Sequence, residues 1–182
     1  LEKCQNNYKN IDKLQFVNIA VHPNESLITL YTVKNPKDYS HTGWASINLD
    51  RFNNTIYEDS ILEKQIPAKH LMKVIQENNF TSVDLLQVDT EGFDLEVIKM
   101  FDFNTFKPVL IQYEHVHLFI DDKLEIQNII SSFDYYLIEK KNDTIAIRKD
   151  ILTSWFIFVY AIFRIYDSVT SRIINLLNSN KK

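Results

Sequence analysis

Between Val83 and Phe101 the apolar pattern changes from a continuous run to helical spacing with no linker, and this switch restricts the possible folds more than any other feature of the chain. Val83-Asp84-Leu85-Leu86-Gln87-Val88 has the length and composition of a central strand in a parallel sheet. Phe93, Val97, Met100 and Phe101 then recur at i, i+4, i+7 and i+8, as one face of a helix does. Asp89, Glu91 and Gly92 occupy the junction, so two acids fall at the carboxyl end of a strand. Open α/β sheets bind ligands in that crevice, because loops converge there above helix N-termini whose N–H groups are unpaired. A plainer reading stands beside this one. Thr90 or Asp89 would cap the helix while Glu91 and Asp94 complement its dipole, effects worth about 0.3–1 kcal/mol each.

Glycine decides what kind of crevice this can be. Only Gly43 and Gly92 are present, where average usage of about 7% would give a dozen or so. Dinucleotide and phosphate loops need clustered glycines to let backbone approach the ligand, so no glycine-rich cradle exists within these residues. The remaining composition narrows the class. A chain of 182 residues that is 45% hydrophobic can bury one good core. A net charge of -4 with dispersed signs gives no basic stripe, which argues against nucleic acid as a partner. Cys4 is the single cysteine, so no internal disulfide or zinc knuckle is available, and a reducing, cytoplasmic setting is expected. No N-terminal signal peptide is visible.

The segments around the junction fit the same architecture. Leu1 to about Lys13 is expected to be helical, with Leu1, Cys4 and Tyr8 on one face and no capping residue before it. Leu14 to Val21 has the character of a two-sided buried strand, and Leu27 to Val33 of its hairpin partner across the turn His22-Pro23-Asn24-Glu25-Ser26. His22 is assigned to that turn. Asn35 to Thr55 is expected to be a long loop over the functional edge, with Trp44 as a plug on the core. Ile61 to Ile66 suits a short strand, and Pro67 to Asn79 a helix that buries Leu71, Val74 and Ile75. Val109 to Tyr113 is a further strand, ending in Glu114-His115-Val116-His117. If it lies parallel to the Val83 strand, Asp89, Glu91, Glu114 and His115 share one pocket. A histidine there is the best-placed general base near neutral pH, since carboxylates close to a helix N-terminus are held at low pKa. Alternation puts His115 and His117 on one strand face, so a metal site with the acids is weighed, but a spacing of two is weak evidence and no metal is assigned. Leu124 to Ser132 is an amphipathic helix, followed by a hairpin of Tyr135–Glu139 with Thr144–Arg148.

The wording of the opening stretch, Val-Asp-Leu-Leu-Gln-Val-Asp-Thr-Glu-Gly-Phe-Asp-Leu-Glu-Val-Ile-Lys, resembles the signature of the FkbM family of S-adenosylmethionine (SAM) dependent methyltransferases. Phe16 to Val21 is similar to that family's third strand, Gly43-Trp44-Ala45-Ser46 to its Ser loop, and Lys107 to Glu114 to its fifth strand with the terminal acid. The resemblance covers roughly Leu1 to Lys149. It implies an α/β fold with a Rossmann-like class I methyltransferase sheet over residues 1–150, incomplete at the N-terminus. It also implies SAM as cofactor and transfer of its methyl group to a hydroxyl on a sugar, glycan or secondary metabolite. By the same resemblance Ala20, Val21 and Asp89 border the cofactor, Asp89, Glu91 and Glu114 line the reaction pocket, and His115 is the candidate base. The family's SAM-binding glycine loop has no counterpart, so the chain is expected to start downstream of it and to bind SAM weakly or not at all. Loss of the strands that normally flank it would leave the Val83–Val88 strand with an open edge, and self-association is expected. The competing class is a non-catalytic module, a truncated methyltransferase-like copy that serves as a binding or membrane-associated piece.

Residues 151–182 differ in character. Trp155-Phe156-Ile157-Phe158-Val159-Tyr160-Ala161-Ile162-Phe163 is apolar all round, and Arg164, Asp167 and Arg172 follow on a more amphipathic continuation. The run is short of the roughly 20 residues a spanning helix needs. A C-terminal helical extension over 151–178 is expected, covering its apolar face with a membrane surface, a partner or its own domain, so the location is cytoplasmic or peripheral to a membrane.

Overall fold

The computed structural model describes residues 2–11, 13–38, 41 and 43–152, so the expected C-terminal helix falls outside the described residues apart from Ile151 and Leu152. Helix α1 (Glu2–Asn7) leads to a first group of strands: β1 (Ala20–Val21), β2 (Leu27–Val33), β3 (Ala45–Ser46) and β4 (Ile61–Lys69). Then follow α2 (Leu71–Glu77), β5 (Leu85–Val88), α3 (Asp94–Met100), β6 (Leu110–Glu114), α4 (Ile120–Ser132), β7 (Tyr135–Glu139) and β8 (Asp143–Arg148). The α/β content is as the sequence implies. The sheet is not continuous, however: the described strands form two four-stranded sheets, β1-β4-β2-β3 and β5-β6-β8-β7.

Local pairings explain the division. The expected hairpin between β1 and β2 does not form, because β2 pairs antiparallel with β4 along its whole length, from Leu27↔Pro67 to Val33↔Ile61. Strand β4 therefore runs through Pro67 to Lys69, beyond the expected Ile66, and β1 is reduced to Ala20 and Val21 beside Ala68 and Lys69. The helix after β4 accordingly starts at Leu71. His70 is its N-cap, accepting a hydrogen bond from the Met72 N–H at 3.2 Å, rather than a residue on the helix surface. Parallel pairing of β5 with β6, from Leu85↔Leu110 to Val88↔Tyr113, is as the sequence implies. It brings the carboxyl ends of the two strands together.

The core sits on one face of the second sheet. Val97, Ile98, Met100 and Phe101 of α3 and its end pack with Ile126 and Ile130 of α4 against Leu86, Val88, Ile111, Tyr113 and Ala146. This confirms the helical spacing of Val97, Met100 and Phe101. The other face is less covered: Leu85 is 52% exposed and its registered neighbour Leu110 is 37% exposed. β5 is thus a one-sided edge strand among the described residues, where its apolar run suggested burial on both faces. Among the described residues, no helix is long and apolar enough to cross a membrane.

Candidate functional site

The junction after β5 is a tight turn built on two left-handed residues. Glu91 has φ +58° and Gly92 φ +106°, so the chain reverses between Val88 and the start of α3. Only glycine takes such a φ without steric cost, while a non-glycine residue in this region costs roughly 1 kcal/mol or more and persists when its surroundings hold it. Arg51, on the 3-10 turn Leu49–Phe52, holds it by donating to both the Glu91 carbonyl oxygen and its Oε2. Asp94 secures the other side. Fully buried, it accepts a hydrogen bond from Thr90 Oγ1 at 2.8 Å and one from the Glu114 N–H at 3.2 Å, tying the turn to the end of β6. Burial pushes the Asp94 carboxyl up from its ordinary pKa, and these hydrogen bonds oppose that push. The capping reading of the junction is not realised by Thr90 or Asp89, since the N-cap of α3 is Phe93 and makes no side-chain cap bond.

Two crevices open on either side of this turn. The larger, about 340 Å³, lies between the two sheets and is lined by Ile19, Ala20, Val21, Ile28, Leu30 and Phe93 on its apolar side, with Asp89, Thr90 and Glu91 at its polar end. Its lining includes Ala20, Val21 and Asp89, the three residues assigned to the cofactor. The smaller, about 250 Å³, is lined by Asn48, Asp50, Arg51, Gly92, His117, Phe119 and Asp122. Ser46 and Glu91 belong to both. His22 stays in its turn, accepting from the Asn24 and Glu25 N–H groups, with its ring stacked on Phe93 at 5.7 Å. Trp44 is half-buried on Tyr57, with ring centroids 6.0 Å apart, in keeping with a plug.

Behind the shared wall three side chains converge. His117 Nε2 lies 3.4 Å from Glu91 Oε2 and 3.8 Å from Glu114 Oε2. The Glu114 carboxyl is pushed up to about 7, first by burial and then by the charges of Glu91, Asp89 and Asp94. This reverses the expectation that acids at this edge have low pKa. A seven-residue helix exerts a dipole effect worth a fraction of a kcal/mol at this distance, and desolvation with three like charges outweighs it. Burial and the neighbouring Arg51 guanidinium push the His117 imidazole down.

The structure therefore groups Glu91 and Glu114 as the sequence implied, and Asp89 lines the larger crevice together with Glu91. It places His115 elsewhere. That ring is 5% exposed, with Nδ1 2.9 Å from Thr144 Oγ1, and it lines neither crevice. The alternation that put His115 and His117 on one face fails because β6 ends at Glu114. The N–H groups of His115 and Val116 both donate to the Asn142 carbonyl, and that of Leu118 donates to His115, so the chain turns and swings His117 back over Glu114. Arg51 had no short-range signal at all, being 40 residues from Glu91 in sequence.

Comparison with protein families returns one described as "Methyltransferase FkbM domain", matched over residues 1–140. No curated protein and no solved structure matches the chain.

Proposed function

Because the chain belongs to the FkbM methyltransferase domain family, we propose that it binds SAM in the crevice of Ala20, Val21 and Asp89 and methylates a hydroxyl held in the adjoining crevice of Arg51 and His117. The observation that carries this reading is the shared wall: Ser46 and Glu91 line both spaces, so the two crevices adjoin. SAM, when bound, supplies an electrophilic methyl group on a positively charged sulfur. The residues present suit it in two respects. Ile19, Ala20, Val21, Ile28 and Leu30 give flat apolar walls of the kind an adenine ring needs, and Asp89 puts a carboxylate where positive charge would lie. With two glycines in the chain, no backbone cradle supplements these contacts, and binding is expected to be weak.

The chain's part in transfer is placement. Holding an acceptor hydroxyl against the shared wall converts a bimolecular encounter into a fixed approach, which contributes more of the rate than any single proton transfer. An acceptor hydroxyl held there would have to lose its proton on methylation, and Glu91, Glu114 and His117 form the acidic corner toward which that proton would leave. A sugar or secondary-metabolite hydroxyl fits the polar lining of Asn48, Asp50 and Asp122. The glycine shortage by itself favours the second reading, a module that retains the fold without catalysis.

Titration of isotopically labelled chain with SAM, followed by amide chemical shifts, tests the proposal even at low affinity. Progressive shifts at Ala20, Val21 and Phe93, diminished in Asp89→Asn, are the expected result. Spectra unchanged at these residues up to the highest soluble SAM concentration would overturn it in favour of the non-catalytic module.

A further inference from the structure

We propose that Glu91, Glu114 and His117 form a site for a divalent cation of the magnesium or manganese class, set between the smaller crevice and the end of β6. The catalytic meaning of this site rests on the transfer reading above, whereas its binding chemistry does not.

Three observations carry it. One donor atom from each residue, two carboxylate oxygens and an imidazole nitrogen, lies within 4.8 Å of the other two. Ligands on neighbouring corners of an octahedral cation with bonds of about 2.1 Å sit roughly 3 Å apart. The 3.4 Å and 3.8 Å separations from His117 Nε2 thus need only small side-chain movements. Next, Glu114 Oε2 is a buried oxygen with no hydrogen-bond partner, and it faces His117 Nε2. A buried acceptor left without a donor costs free energy, and a ligated cation removes that cost. Finally, the corner is unbalanced in charge. The charges of Glu91, Asp89 and Asp94 all act on Glu114, opposed there by that of Arg51.

The donor set indicates the metal. Two carboxylates and one imidazole, with no thiolate, suit a hard to borderline divalent ion and disfavour soft ones. Glu91 and His117 line a crevice with Ser46, Asn48, Asp50 and Asp122 on its walls, oxygen-rich surroundings for the water or acceptor hydroxyl that a cation held there would bind. With the cation in place these three side chains are its ligands, so a hydroxyl bound to it would give up its proton to solvent rather than to them, the metal stabilising the alkoxide. The resulting oxygen nucleophile would stand next to Glu91, where the two crevices meet. Arg51 has the opposite role. Its guanidinium already occupies Glu91 Oε2, so it competes with the cation for that carboxylate.

Manganese(II) added to the full chain and followed by its electron paramagnetic resonance signal tests the site without substrate or SAM. The expected result is saturable binding that magnesium displaces, weakened by more than about tenfold in Glu114→Gln and in His117→Ala, and tightened in Arg51→Ala. His117 is an exposed side chain and Glu114→Gln is isosteric, so thermal melts of both variants should show a folded protein. Absence of binding, binding equal in the wild type and both ligand variants, or Arg51→Ala binding no tighter than wild type would each overturn the proposal. The SAM titration is run in chelator, so failure of the cation site and failure of the transfer reading appear in separate measurements.

Discussion

Glu91 and Tyr135 illustrate how single residues store or hold free energy in this fold. Glu91 keeps its left-handed backbone because Arg51 holds it on one side and the hydrogen bonds that Asp94 accepts from Thr90 and Glu114 secure the turn on the other, and its carboxylate lines both crevices. Tyr135 is 2% exposed and donates a 2.6 Å hydrogen bond to the Pro108 carbonyl. Burial raises its phenol pKa above the ordinary 10.0. The unfolded chain therefore gives up this proton first as pH rises. The stabilisation is complete below pH 10 and is lost as pH climbs through the raised value, with a slope of at most about 1.4 kcal/mol per pH unit. Tyr135→Phe is expected to cost about 1–3 kcal/mol at neutral pH, since Pro108 loses its donor, and to flatten the decline above pH 10. Denaturant melts at neutral and alkaline pH compare the two chains, and a variant that keeps the full alkaline slope would assign it to another group.

At the scale of elements, α3 and β5 were legible to different degrees. The 3.6-residue period of Val97, Met100 and Phe101 specifies an amphipathic helix whatever it packs on, and those residues are buried. A short apolar run such as Val83–Val88 carries no equivalent information, because burial on one face or two, and pairing on one edge or two, depends on which other strands arrive. Here β5 has β6 as its strand partner among the described residues, and Leu85 lies exposed on the uncovered face. Unpaired N–H and C=O groups beside exposed leucine form a template for another chain. Concentration-dependent self-association is expected in sedimentation velocity, and Leu85→Lys should suppress it while changing stability by no more than about 0.5 kcal/mol. A monomer at all concentrations, or association indifferent to the lysine, would count against the β5 edge as the contact.

For the whole molecule, the two sheets make the larger crevice by standing apart: its apolar wall comes from β1 and β2, its polar end from the turn after β5. The family match spans residues 1–140, short of the apolar sequence from Trp155 to Phe163. An unbroken run of apolar residues favours cover from water, and the following Arg164, Arg172, Lys181 and Lys182 favour anionic headgroups. Flotation with anionic liposomes should therefore carry the full chain upward and leave a version ending at Leu152 at the bottom. Equal behaviour of the two would reject a membrane role for the C-terminal residues.

What the sequence determined by itself was everything governed by local periodicity and residue type: a strand-to-helix junction with acids at its turn, the parallel neighbour ending in Glu114, the closing hairpin, and the absence of a glycine cradle. Tertiary structure alone decided which groups meet. β4 outcompeted β1 for β2 because a nine-residue partner satisfies more backbone groups than a two-residue one, and that choice divided the sheet. β6 ended at Glu114, three residues short of His117, so strand alternation did not hold and His117 rather than His115 reached the acids. Arg51 arrived from 40 residues away. The pKa of Glu114 follows from burial and from charges brought close by folding, quantities that depend on distance in space and leave no mark on the order of residues in the chain.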